Sequence, residues 1–221
     1  MKKWIGCGVL ALMAVACRAP LRPTLQNPAP TPTSASVEDL AAAIASDAKR
    51  SDRESDSKIR GNLAADASRD AQACIAREPQ TAACLYGRAV ALGLEARAHP
   101  TRAAELLSNM LGSLASADAA DPNYDQAGPA RVRALVLIRA PGWPLGPGDA
   151  EAGLVAARRA ATLQPQYPPN LLALAEALAK TGDANGAREN YQRARDLAQA
   201  LPASSDRDDW LREAEQALKQ K

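Results

Sequence analysis

The chain has 221 residues, the length of one or two ordinary domains. Its 51 Ala, single His, lack of Phe and 3% aromatic content suit closely packed helices and exclude a typical strand-rich sandwich or barrel. Lys and Arg number 27 against 25 Asp and Glu, and loss of Lys2 and Lys3 with the leader described next leaves a neutral chain, without the basic excess of a nucleic-acid binder.

Met1-Lys2-Lys3 is a short basic head on a mostly apolar run from Trp4 to Ala16, too short to span a bilayer comfortably as a permanent helix. The pattern predicts a signal peptide over residues 1–16. Ala14-Val15-Ala16-Cys17 resembles a bacterial lipobox, in which small residues precede a Cys that is acylated and becomes the new N-terminus. The same residues also satisfy the small-x-small rule of ordinary signal cleavage. The lipobox resemblance implies lipidation of Cys17. Arg18, by resemblance to the rule in which Asp after the Cys retains a lipoprotein in the inner membrane, implies an outer-membrane anchor facing the periplasm. Residues 17–36 then hold Pro20, Pro23, Pro28, Pro30 and Pro32 among Thr, Ala and Ser, with no helical or strand period. Such a segment favours extended conformations and buries too little apolar surface to fold, so it reads as a tether.

The folded domain is expected over residues 37–221. Ser36 is a plausible N-cap for a helix running to about Ser51, and Lys58 to Arg77 reads as its partner, ended by Pro79. Ala82 to Arg97 and Thr101 to Ala119 form the next pair. Cys74 and Cys84 stand five residues either side of Pro79, so an antiparallel pair joined there brings them face to face. Export into oxidising surroundings favours a bridge, and buried free thiols in Ala-like packing positions are the alternative.

Pro129 to Arg139 is the following helix, because Gly128 stops an Asp-rich turn and Pro is tolerated in a first helical turn. Arg131 falls two residues into that helix, where the dipole disfavours a cation, so it is expected to reach a carboxylate elsewhere. Two readings follow: Arg131 and Arg88 face a concave groove and bind an acidic ligand or partner, or they pair within the molecule. The loop from Ala140 to Gly148 is rich in Pro and Gly and carries Trp143, which is either an exposed anchor for a partner or a plug folded over the helix ends. Glu151 to Leu163 completes this pair.

The clearest unit is Asn170 to Ala200. Leu171, Leu174, Ala175 and Leu178 recur at helical spacing, Thr181-Gly182-Asp183 makes the turn, and Ala187, Tyr191, Ala194 and Leu197 line a second helix. This unit is similar to a tetratricopeptide repeat, in which Leu178 and Tyr191 would enter holes left by Ala175, Ala187 and Ala194. Ser205 to Lys219 carries Trp210, Leu211, Ala214, Ala217 and Leu218 on one stripe, as a capping helix requires. The expected fold is therefore all-α: a tetratricopeptide-like α-α superhelix, a right-handed solenoid of four degenerate helix pairs and a C-terminal cap.

A more particular likeness lies in Leu85-Tyr-Gly-Arg-Ala-Val-Ala-Leu-Gly-Leu94, Asp121-Pro-Asn-Tyr124, Ala127-Gly-Pro-Ala-Arg131, Arg139-Ala-Pro-Gly142, Gly148-Asp149 and Gln164-Pro-Gln-Tyr167. Together these resemble the T component of tripartite ATP-independent periplasmic (TRAP) transporters. The resemblance implies a lipid-anchored helical-repeat protein that associates with a periplasmic solute-binding protein. A general cell-envelope scaffold, or an outer-membrane or cell-wall assembly lipoprotein, is the alternative function. Candidate partner or ligand residues are Tyr86, Arg88, Arg131 and Trp143, although Tyr86 and Tyr124 also suit helix packing. Ala-rich, shallow helix faces can also pair with copies of themselves to form a homo-oligomer. No catalytic motif, metal-ligand spacing or cofactor fingerprint is present, so the reading is a binding protein rather than an enzyme.

Overall fold

The computed structural model describes residues 35–219; Cys17, the expected signal peptide and nearly all of the expected tether lie outside them. Among the described residues nine α-helices follow in order: α1 Val37–Arg53, α2 Ser57–Arg77, α3 Ala82–Ala98, α4 Ala103–Ala120, α5 Tyr124–Arg139, α6 Ala150–Leu163, α7 Pro168–Lys180, α8 Ala184–Gln199 and α9 Ser205–Lys219. A 3-10 turn, Pro100–Arg102, leads into α4. Among the described residues there is no strand, only an isolated backbone pairing of Gly142 with Gly148. No described helix is long and apolar enough to cross a membrane.

The helices begin where short polar side chains satisfy their free N–H groups. The backbone N–H of Asp39 donates to Ser36 Oγ at 3.1 Å, while the Ser36 N–H donates back to Asp39 Oδ2 at 3.0 Å, a reciprocal cap on α1. Asp56, Asp149 and Asp183 accept from the first-turn N–H groups of α2, α6 and α8. The chain reverses between α7 and α8 at Gly182, whose φ of +95° favours a residue without Cβ.

Adjacent helices form the pairs α1/α2, α3/α4, α5/α6 and α7/α8, with α9 packed on α8, an all-α helical-repeat superhelix. The odd-numbered helices also meet one another in order, although α3 touches α5 only lightly. Alanine sets this close spacing. Ala67, Ala89, Ala134, Ala157, Ala175 and Ala177 are fully buried, and larger side chains such as Ile44, Leu114 and Leu171 fill the remaining space. Leu178 and Ala187 share one core cluster with Ile138 and Leu154, against which Leu174 and Tyr191 pack. Ala194 joins Leu171, Leu172 and Ala214 in the next, so the last repeat is continuous with the cap.

One boundary differs from the sequence expectation. The helix expected from Pro129 is preceded by a left-handed helical turn at Asp125, Gln126 and Ala127, with φ of 48°, 55° and 61°. The polar groups that hold this turn come from further along α5 and from α7.

Candidate functional site

Three consecutive left-handed residues with side chains cost roughly 1–2 kcal/mol each, and local propensity does not repay this. Two buried side chains hold the turn. Arg131, 8% exposed, donates through Nη1 to the carbonyls of Asp125 (3.2 Å) and Gln126 (3.1 Å) and to Asn170 Oδ1 (3.1 Å). Its Nη2 pairs with Asp125 Oδ2 at 2.8 Å. Asn170, with no exposed surface, donates through Nδ2 to the carbonyls of Gln126, Ala160 and Gln164 at 3.0 to 3.2 Å. Every buried side-chain nitrogen and oxygen among the described residues has a partner. Gly128 belongs to the same cluster: a Cβ there would lie 2.7 Å from Asp125 Oδ2 and 3.0 Å from the Tyr86 ring.

The turn aims Asp125 into a cleft of about 680 Å³ lined only by odd-numbered helices and the residues that open α7. Such an inner surface is what a repeat superhelix offers a ligand, because each first helix of a pair faces the axis. Tyr86 donates its hydroxyl to Asp125 Oδ2 at 2.9 Å and meets Tyr124 edge to face, with ring centroids 5.5 Å apart. Tyr167 and Trp210 make a second edge-to-face pair, also at 5.5 Å, and the Arg131 guanidinium lies 5.2 Å above the Tyr167 ring. Burial, reinforced by the Asp125 carboxylate, raises the Tyr86 phenol well above its ordinary value, so it remains a hydroxyl donor.

Charges close the cleft from opposite sides. Lys49 Nζ of α1 lies 2.7 Å from Asp206 Oδ2 of α9, and Arg53 Nη2 lies 3.6 Å from Asp209 Oδ2. Arg212 also pairs with Asp209. The backbones of α1 and α9 do not touch, so these long side chains span the gap.

The four nominated surface residues fall in different places. Tyr86 and Arg131 line the cleft, but both are engaged internally through Asp125. The carboxylate that Arg131 reaches is thus supplied by the left-handed turn. Arg88 points to the other side of α3, where its Nε donates to Ser113 Oγ of α4 at 3.0 Å. Trp143 is 91% exposed, and Leu145 beside it 76%. Their loop is pinned by bonds from Gly148 N–H to the Pro141 carbonyl (2.8 Å) and from Asp149 N–H to the Leu137 carbonyl (2.9 Å). The Trp143–Pro144 peptide is cis. A second, more apolar groove of about 780 Å³ lies between α3, α4 and α5, lined by Leu94, Leu107, Met110 and Val136, and reaches Pro141. Cys74 and Cys84 are joined, with Cα atoms 5.2 Å apart.

Sequence reasoning did not nominate Asn170, Asp125, Tyr167, Trp210 or the clasp formed by Lys49, Arg53, Asp206 and Asp209 for a site. Asn170 carries a weak signal, a polar residue opening the apolar run Leu171-Leu172. The clasp carries none, because Lys49 and Asp206 are 157 positions apart. Among the described residues no cluster of His, Cys, Asp and Glu has metal-site geometry. Comparison with known proteins finds no family model that matches the chain and no curated protein that matches it.

Proposed function

We propose that this chain is a lipid-anchored, periplasm-facing helical-repeat scaffold that recognises a protein partner through the Trp143 loop. The observation that carries the reading is the fixed presentation of Trp143 and Leu145, 91% and 76% exposed, on a loop hydrogen-bonded back to α5. A large aromatic held rigidly in solvent gives contact area at small entropy cost, the property of an interface anchor. The adjoining groove supplies an apolar continuation of the same surface. The lipobox-like Ala14-Val15-Ala16-Cys17 supplies the anchor, and an outer-membrane position follows from Arg18. The likeness to the TRAP T component makes a periplasmic solute-binding protein the favoured partner. The work of such a protein is binding rather than catalysis.

The test is affinity purification of the tagged lipoprotein from mildly solubilised membranes of its own organism, beside a Trp143→Ala variant. Recovery of a solute-binding protein with the wild type and its loss with the variant, at unchanged melting temperature, is the expected result. Recovery of only envelope-assembly or cell-wall proteins would replace the transporter reading with that of a general scaffold. Equal recovery by both forms would remove Trp143 from the interface.

A further inference from the structure

The chain has seven aromatic residues, and four of them, Tyr86, Tyr124, Tyr167 and Trp210, line the one cleft that α1 and α9 close. Tyr86 and Trp210 each pack one side on the core and present the other to the cleft, where Tyr124 and Tyr167 complete two edge-to-face pairs. Above the rings, two ion pairs cross the mouth, Lys49 of α1 with Asp206 of α9 and Arg53 of α1 with Asp209 of α9, and Arg212 of α9 also pairs with Asp209. The four side chains that cross the mouth are solvent-exposed, between 39% and 61%. Exposed ion pairs contribute little net stability, and no backbone packing holds α1 to α9, so the mouth opens at small cost.

We propose that this cleft binds a zwitterionic small solute with an aromatic body, of the aromatic α-amino-acid class. The ring lies among the four aromatic side chains, the carboxylate meets Lys49 and Arg53, and the ammonium meets Asp206 and Asp209. Charge balance selects the class. A solute bearing only a carboxylate satisfies Lys49 but leaves Asp206 without its partner, and an amine alone does the reverse, whereas Asp209 keeps Arg212 in either case. A zwitterion inserted between Lys49 and Asp206 leaves both of them facing an opposite charge. The α-ammonium and α-carboxylate stand side by side on one carbon, as the Lys49 and Asp206 groups do at 2.7 Å. Arg131 is not available to a solute carboxylate, because Asp125, Asn170 and two carbonyls already hold it. The inference stands apart from the partner reading, since Trp143 does not line the cleft.

Calorimetric titration of the full chain with L-phenylalanine, 3-phenylpropionate and phenethylamine tests the assignment, the last two keeping the ring and one charge each. The expected result is saturable binding of L-phenylalanine, with each single-charge analogue about tenfold or more weaker. Asp206→Asn/Asp209→Asn lowers affinity for L-phenylalanine by at least about tenfold, and Trp210→Leu also weakens it. Circular dichroism confirms that the variants fold, and Trp143→Ala binds the amino acid as the wild type does. Absence of binding by L-phenylalanine at about 10 mM overturns the proposal, since that is weaker than any specific site requires. Equal binding of 3-phenylpropionate overturns it in favour of a plain anion site. Unchanged affinity in the double aspartate variant removes the clasp from recognition.

Discussion

Arg131 and Asn170 act as one unit. Each is buried, each bonds a carbonyl group of the left-handed turn, and they bond each other across 39 residues of sequence. Removing either leaves the Gln126 carbonyl short of a donor, and removing Arg131 also leaves Asp125 without its counter-charge. Arg131→Ala is expected to cost about 3–5 kcal/mol of unfolding free energy, and Asn170→Ala about 2–4 kcal/mol, measured by denaturant titration. Their double variant should cost less than the sum, because both support the same turn. Arg139 makes a closer ion pair, 2.5 Å from Glu176, yet its side chain is 55% exposed. Arg139→Ala is therefore expected to cost no more than about 1 kcal/mol. Asp47 carries the opposite kind of charge effect. Burial raises its carboxyl above the ordinary value of 3.8, despite Arg50, and Asp66 and Asp70 add to the rise. The folded state therefore binds this proton more tightly than the unfolded chain, and the stability penalty of the charged form is relieved as pH falls toward the ordinary value. Asp47→Asn, which has no charge to bury, should gain stability relative to wild type at pH 7 and lose that advantage near pH 4, as thermal melts at the two pH values would register.

At the scale of elements, the junction of α2 and α3 is fixed covalently. The Cys74–Cys84 bridge closes a short loop, with a sequence separation of 10. In the chain-entropy account such a loop is worth on the order of 3 kcal/mol. Reduction, or Cys74→Ser/Cys84→Ser, should lower the melting temperature by roughly 5–10 °C for a chain of this size. The α7/α8 pair depends instead on a large residue seated among small ones. Leu178→Ala should therefore cost about 2–4 kcal/mol by denaturant titration. These helices were largely legible in the sequence, since Ser36 marks the start of α1, Thr181-Gly182-Asp183 marks the turn before α8, and the Leu and Ala spacing marks the faces. The left-handed turn was not. Gln126 and Ala127 have no local preference for that conformation; a carbonyl clamp formed by Arg131 and Asn170 imposes it, and no local pattern announces such a clamp. Of the two arginines read as groove residues, Arg131 lines the cleft and Arg88 faces α4 instead, while Tyr86, read as a candidate contact or a packing residue, lines the cleft. The engagement of Tyr86 and Arg131 by Asp125 depends on tertiary geometry.

For the whole molecule, the superhelix curves until its first and last helices face each other across the cleft. Neighbouring repeats are joined by packing and by ion pairs such as Arg97 with Asp52 and Arg159 with Asp118, whereas α1 and α9 are joined by charge alone. Salt should therefore act unevenly. Raising ionic strength from about 0.05 to 0.5 M screens the exposed clasp while leaving buried contacts nearly unchanged. Backbone amides beside the cleft mouth on α1 and α9 should gain hydrogen-exchange rate, with the cores of α3 and α7 unaffected. Uniform acceleration along the chain would instead point to global unfolding.

The clamp on the left-handed turn also has a temporal meaning. Residues 125–127 precede Asn170 in the chain, so when the chain emerges N-terminus first the turn lacks one of its two clamping side chains while α5 and α6 are already in reach of each other. The first two helix pairs can settle early through neighbouring contacts, but the entry to α5 takes its final shape only once α7 docks. The lining of the cleft is thus among the last parts of the molecule to become native, and an interrupted chain ending before α7 would display repeats without a finished binding surface.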